Sequence, residues 1–482
     1  MVYFGWLFLG LLIGAGLTYY FARFGKFGIS LGGSKTKVVA LVTLVTSHFK
    51  PVAIDNVTIS ERKFPFRVRA DLQKAIDQLF SEETKVLHFC GVRKEFSHEA
   101  VSLTDCLVGS SHYPTLSVPP EYEEIDVGDD LPVRVLKVGL WLLEKNGIRF
   151  VVLLTPAGQF GQVTGIQFQV GTPNVPEGTQ IAQAFYKHLE DAILKADSYR
   201  GKVLSLEQAK HSYTGESSGI TVHRLRQVDR DQVILPEKTL QLLERNVIQF
   251  VQQRKQLADF KQSTRKGILF YGPPGTGKTH TIHYLSQALA DHTTLLVSAE
   301  QVGLLGEYMT LARLLQPSIV VLEDVDLIAR DRANMNSPCE EAMLNKLLNE
   351  MDGLKPDCEI LFILTTNRPE TLEAALASRP GRVDQAIEYP LPDDIGRGKI
   401  VRLYAQGVTL ADSVVAEIVR RTEGVSPAFI KELMRRSVQF HLERSGDGEL
   451  SSQDVTSALD EMLVAGGSLS LKLLGAAKVD DK

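Results

Sequence analysis

Apolar and polar positions alternate along this chain in three different ways. From Val2 to Ala22 (VYFGWLFLGLLIGAGLTYYFA) there is no charge at all. As a helix this run reaches roughly 31 Å, about one bilayer core. Tyr3 and Trp6 at one end and Tyr19 and Tyr20 at the other sit where interfacial aromatics sit. A cleaved signal peptide would carry a positive residue ahead of the apolar run, and none is present. The pattern predicts an uncleaved transmembrane anchor over residues 1–22, followed by a basic tether over 23–49. Arg23, Lys26, Lys35, Lys37 and Lys50 all follow the span, which by the positive-inside rule puts the bulk of the chain on the cytoplasmic side of the membrane. Within the tether, the apolar run Val38 to Thr46 has the length of a strand.

From about 50 to 215 the pattern changes to short apolar runs broken by turn residues: VLHFCGV, LPVRVLKVGLWLLEKNG, IRFVVLLTP and GIQFQVGTP, then a helical IAQAFYKHLEDAILKAD. This is a mixed α/β domain. In its helix, Ile181, Ala184, Phe185, Leu189 and Ile193 fall near the helical period and mark a core face. His98-Glu99 has no second histidine four residues on, so the metalloprotease pattern fails there.

The third regime sets buried strands ahead of polar strand ends. Ile268-Leu-Phe-Tyr271 runs into Gly272-Pro273-Pro274-Gly275-Thr276-Gly277-Lys278-Thr279-His280, and a helix follows with Ile282, Leu285 and Leu289 on one face. Strand, glycine-rich turn and helix together make a phosphate-binding loop. Glycines let successive backbone N–H groups curl around a phosphate, Lys278 reaches the β- and γ-phosphates of ATP, and the Thr279 hydroxyl takes Mg²⁺. About forty residues later a second apolar strand ends in Glu323-Asp324, and Ile360 to Thr366 forms a third that ends in Asn367, an amide able to orient an attacking water.

Length and composition add bounds to this picture. At 482 residues the chain is expected to hold two or three domains, and 44% apolar with 23% charged residues is an ordinary globular mixture. The net charge of −5 argues against a nucleic-acid partner. Cys90, Cys106, Cys339 and Cys358 match neither a zinc quartet nor a disulfide framework and read as reduced thiols.

GPPGTGKT, the strand-end acids, LLNEMDGL, TTNRPETLEAAL, SRPGRVD and TEGVSPAFIKELMRR stand in the order and spacing of an AAA-family ATPase, which the chain resembles over roughly 230–465. The resemblance implies a P-loop NTPase parallel sheet as the ATPase core (230–392), a helical lid (393–465) and a tail (466–482). It also implies a ring, a homo-hexamer in the family, in which Arg379 and Arg382 project as arginine fingers into the neighbouring subunit's site. Residues 50–215 would then recognise protein substrates to be remodelled, extracted or assembled. With LEDVD, the VILPEKTLQLLERNVIQF segment and an N-terminal anchor, the chain looks like the branch that contains the mitochondrial respiratory-chain assembly ATPase. No protease domain is expected after the lid.

Two features depart from the family. The family's acid order is Asp then Glu; here Glu323 precedes Asp324, so by position Glu323 serves Mg²⁺ and Asp324, one methylene shorter, polarises the water. An alternative expectation is an ATP-binding scaffold with little turnover. Where family unfoldases carry an aromatic pore loop, this chain reads Leu304-Leu305-Gly306; Leu304, Leu305, Tyr308 and Met309 are either an apolar grip or ordinary packing.

Overall fold

The computed structural model describes residues 41–465 apart from 83, 96–99, 110–111, 160–161, 208–218, 330–348, 351–357, 372–382 and 445–447. The anchor at 1–22, the first part of the tether and the tail at 466–482 lie outside the described residues. Among the described residues no helix is long and apolar enough to cross a membrane.

The first described element departs from its sequence pattern. Leu41–Phe49 is a helix, α1, where the apolar run predicts a strand. Its buried residues Leu41, Val45, His48 and Phe49 recur at helical spacing. A short unbroken apolar run carries no period of its own, so packing decides. Here the helix lies on the sheet of the middle region, against Leu140, Leu142, Val151 and Leu153.

That sheet is antiparallel, in the order β1 (Val57–Pro65), β7 (Gln162–Pro173), β6 (Ile148–Gln159), β5 (Val133–Lys145), β2 (Lys85–Lys94), β3 (Thr115–Val118), with β4 (Glu121–Ile125) also on β5. Helices α2 (Arg69–Glu82) and α4 (Pro176–Lys195) cover the opposite face from α1 and the short α3 (Leu103–Leu107). Both faces are therefore buried, which explains why β5 reads LWLL without polar alternation: Leu140 and Leu142 face α1, Trp141 and Leu143 face α2 and α4.

The second sheet runs β14 (Gln385–Glu388), β10 (Lys266–Tyr271), β13 (Ile360–Thr366), β12 (Ser318–Leu322), β11 (Thr293–Val297), β8 (Val203–Leu206), β9 (Ile220–Val222). It is parallel from β14 through β8, and β9 closes it antiparallel. Residues 203–206, inside the span expected to be the separate middle domain, thus pair with the nucleotide sheet. Helices α5 (Glu237–Leu243) and α6 (Arg254–Asp259) lead into β10, α7 (Lys278–Ala288) leaves it, and α8 (Leu305–Leu314) and α9 (Val325–Ala329) flank β12.

The two sheets share one apolar core in which Ala70, Val127, Ala196 and Tyr199 meet Leu204, Leu305 and Leu311. Lys202 ties the junction, donating to the carbonyls of Val127 (2.6 Å) and Ser198 (2.9 Å). Beyond β14, α10 (Asp394–Tyr404), α11 (Asp412–Arg421), α12 (Pro427–Arg444) and α13 (Ser452–Asp460) pack around Ile400, Ile418, Phe429 and Leu433 as a small helical unit.

Candidate active site

Parallel strands bring their C-terminal ends to one edge, and the turn after each end is where side chains can converge. Three such ends meet here. After β10 the chain enters the glycine loop. Gly272 has φ +148°, and a Cβ on it would stand 2.2 Å from the carbonyl oxygen of Tyr389. Gly275 has φ +76°, and its Cβ would approach that of Ala428, on the lid helix α12, to 2.8 Å. The Ala428 amide donates to the Gly275 carbonyl at 3.2 Å, so loop and lid touch directly.

The loop holds its own shape by side chains as well. Thr276 donates to the Pro273 carbonyl at 2.8 Å. Lys278 Nζ donates to the carbonyls of Gly272 (2.8 Å) and Pro273 (3.0 Å). Burial pulls the Lys278 ammonium down to about 8, against the opposing pull of Asp324 and Asp326. Lys278 also opens α7, whose free N–H groups and positive partial charge favour an anion. His280 packs with Nε2 3.3 Å from the Gln232 carbonyl, and burial lowers its pKa.

After β12 come the two acids, and they do different things. Glu323 Oε1 accepts a hydrogen bond from the Thr279 hydroxyl at 2.9 Å. Asp324 adopts a left-handed backbone with φ +49° and lines the cleft. After β13, Asn367 Nδ2 donates to Asp324 Oδ1 at 2.9 Å. The structure therefore brings Thr279 to Glu323 and Asn367 to Asp324.

The cleft holds about 440 Å³ between the glycine loop, residues 232–235, the strand ends and the lid residues Tyr404 and Lys431. Arg379 and Arg382 lie outside the described residues. Three positions have no assignment from the sequence. Asp326, almost wholly buried, accepts from the Thr366 hydroxyl and the Asn367 amide, both at 3.1 Å, and so locks the end of β13 to the turn after β12. Thr365 accepts the Asp324 amide at 3.0 Å. Lys431 places a cation on the lid side of the cleft. The only sequence signal for the first two is their position beside residues already chosen, Asp326 two after Asp324 and Thr365 two before Asn367.

Three of the four residues of the apolar grip are closed off, and the fourth, Leu304, is half-buried against the same core. Leu305, Tyr308 and Met309 are fully buried. The Tyr308 hydroxyl accepts the Leu206 amide at 2.8 Å and donates to Gln301 at 2.9 Å, joining α8 to β8. Packing is the correct reading of those three residues, because α8 lies between two sheets and has no free apolar face.

Residues 268–391 match the family described as ATPase family associated with various cellular activities. The chain carries an AAA ATPase domain. Proteasome-activating nucleotidase of Methanothermobacter thermautotrophicus is 34% identical over 214 residues, covering 41% of this chain and 51% of that protein. ATP-dependent zinc metalloprotease FtsH 3 of Sphaerobacter thermophilus is 32% identical over 288 residues, 57% of each chain. The FtsH protease of Thermus thermophilus is 29% identical over 242 residues, 48% of this chain and 38% of that one. The chain thus spans about half the length of the curated relatives it matches. The AAA domain accounts for the glycine loop, both acids and Asn367, all of which lie within the matched residues.

Proposed function

We propose that this protein hydrolyses ATP in a homo-oligomeric ring to remodel, extract or assemble protein substrates bound by its middle region, held to a membrane by the apolar segment at 2–22. One observation carries the hydrolytic part: the two acids are separately engaged, Glu323 with Thr279 and Asp324 with Asn367, each at 2.9 Å and both beside the glycine loop. Lys278 binds the β- and γ-phosphates. The hydroxyl of Thr279 and the carboxylate of Glu323 are hard oxygen donors that suit Mg²⁺, which supplies positive charge to the phosphates when bound. Asp324 orients a water and accepts its proton as the oxygen attacks in line, with Asn367 holding the carboxylate in place. Arg379 and Arg382, by the family resemblance, offset charge on the γ-phosphate of the neighbouring subunit.

The relatives named for an ATP-dependent protease and a proteasome-activating nucleotidase support an action on proteins. The uncharged run at 2–22 with basic residues after it supports the anchor and a cytoplasmic bulk. The inverted acid order favours a second reading, a nucleotide-dependent scaffold that binds ATP and assembles without turnover.

Steady-state ATP hydrolysis by the full chain in detergent, measured across protein concentration beside Asp324→Asn, separates the two. Specific activity that rises with concentration and is lost in the variant is expected. ATP binding without turnover at any concentration would move the scaffold reading ahead. The anchor has its own check: the full chain is expected to stay with membranes through alkaline carbonate washing, and release into the wash would count against it.

A further inference from the structure

The inverted acid pair raises a geometric question that the backbone answers. A carboxylate one methylene shorter falls short of its usual position by roughly 1.5 Å, one carbon–carbon bond. Something must make up that distance. The acid at 324 is one of the described non-glycine residues with positive φ, at +49°. Aspartate and asparagine enter this left-handed region more readily than longer L residues. The turn also rotates the Cα–Cβ bond away from the direction it would take in a continued strand, so the side chain of residue 324 is aimed by its backbone as well as by its length.

The fold enforces the turn at two atoms. Glu323 ends the strand pairing in the ordinary way, with its amide on the Val297 carbonyl at 3.1 Å. The next amide, that of Asp324, goes to the opposite neighbour and meets a side chain: Thr365 Oγ1, at 3.0 Å. Thr365 is almost fully buried within β13 and lines the cleft. On the far side of the same residue, Asn367 Nδ2 holds Asp324 Oδ1 at 2.9 Å. Backbone and carboxylate are thus gripped from one strand end, while Asp326 fixes that strand end to the following turn.

We propose that Thr365 is a positioning residue for hydrolysis: its hydroxyl holds the left-handed backbone at Asp324, and this conformation lets an aspartate stand where the family places a glutamate. The acid order and the Thr365 hydroxyl form one device. Lengthening the acid without changing the turn overshoots the water, and removing the hydroxyl leaves a half-buried amide without its acceptor and frees the turn.

This inference rests on the ATPase reading, and the experiment keeps the two apart. Wild type, Thr365→Val, Thr365→Ser and Asp324→Glu are compared as full chains for kcat, for KM of ATP and for hydrogen exchange at the Asp324 amide. Absence of turnover in the wild type would count against the ATPase reading, and protection of the Asp324 amide in wild type and Thr365→Ser but not in Thr365→Val still tests the hydroxyl's hold. With an active wild type, Thr365→Val is expected to lose about tenfold in kcat with KM within about twofold, as a half-buried donor left unpaired implies. Thr365→Ser, which keeps the hydroxyl, should recover most of that loss, and Asp324→Glu should turn over more slowly than wild type. Equal kcat in Thr365→Val and wild type, equal damage from Val and Ser, unchanged amide protection in Thr365→Val, or faster turnover in Asp324→Glu would each overturn the proposal.

Discussion

Among the described residues two seven-stranded sheets, each buried on both faces, sit side by side, and the strand ends of one of them carry the candidate nucleotide cleft. In the middle sheet neighbouring strands run antiparallel, so the ends of adjacent strands fall at opposite edges. In the nucleotide sheet β10, β12 and β13 run parallel, and the loops after all three open at one edge, where Lys278, Asp324 and Asn367 meet across a single cleft. Composition does not separate the two sheets; strand direction does.

The strongest way to break this comparison is to damage the middle sheet and ask whether the cleft notices. Phe168 is fully buried there, in edge contact with Phe64 and Phe185. Phe168→Ala should cost about 3–5 kcal/mol in denaturant unfolding of the middle region. Nucleotide affinity at low temperature should hold within about twofold; a parallel loss would mean that the shared core around Tyr199 and Leu305 makes the two sheets one cooperative unit.

A smaller effect probes the nucleotide edge itself. Lys278→Ala removes a buried cation and should weaken ATP binding by about a hundredfold or more, given the strength of charge-assisted hydrogen bonds. Retained tight binding in calorimetry would show that the loop backbone alone holds the phosphates.

The mildest test leaves the sequence intact. Lys278 titrates near 8 in the protein, and phosphates beside it favour the charged form, raising its pKa on binding. Binding therefore takes up a proton above pH 8 and not below it. Affinity should be nearly flat up to about pH 8 and fall by up to tenfold per unit above it. A flat profile to about pH 9.5, or no proton uptake when buffers of different ionisation heat are compared, would show that the ammonium is not depressed.

Much of the nucleotide edge is legible in the sequence because its signals are local. The loop's glycines and Lys278 lie within one stretch of eight residues, and the strands ahead of Glu323 and Asn367 announce themselves as apolar runs. The middle region is legible only as mixed α/β. Its apolar runs do identify strands, yet nothing in them distinguishes an antiparallel order or tells which helix covers which face. The helix at Leu41–Phe49 reads as a strand because a short apolar run fits either period until a neighbouring surface selects one. Tyr308 is ambiguous for a related reason, since an apolar helix face has no address in the sequence.

The sequence by itself determined the phosphate loop, the two acids with their inverted order, and the amide at Asn367, because each depends on residues adjacent in the chain. Tertiary structure alone decided how those parts are aimed. The Asp324 amide finds Thr365 across 41 residues, and the Tyr308 hydroxyl finds Leu206 across 102. Such pairings follow from the order of strands in a sheet, and strand order is set by the packing of the whole core, which no local window of sequence contains.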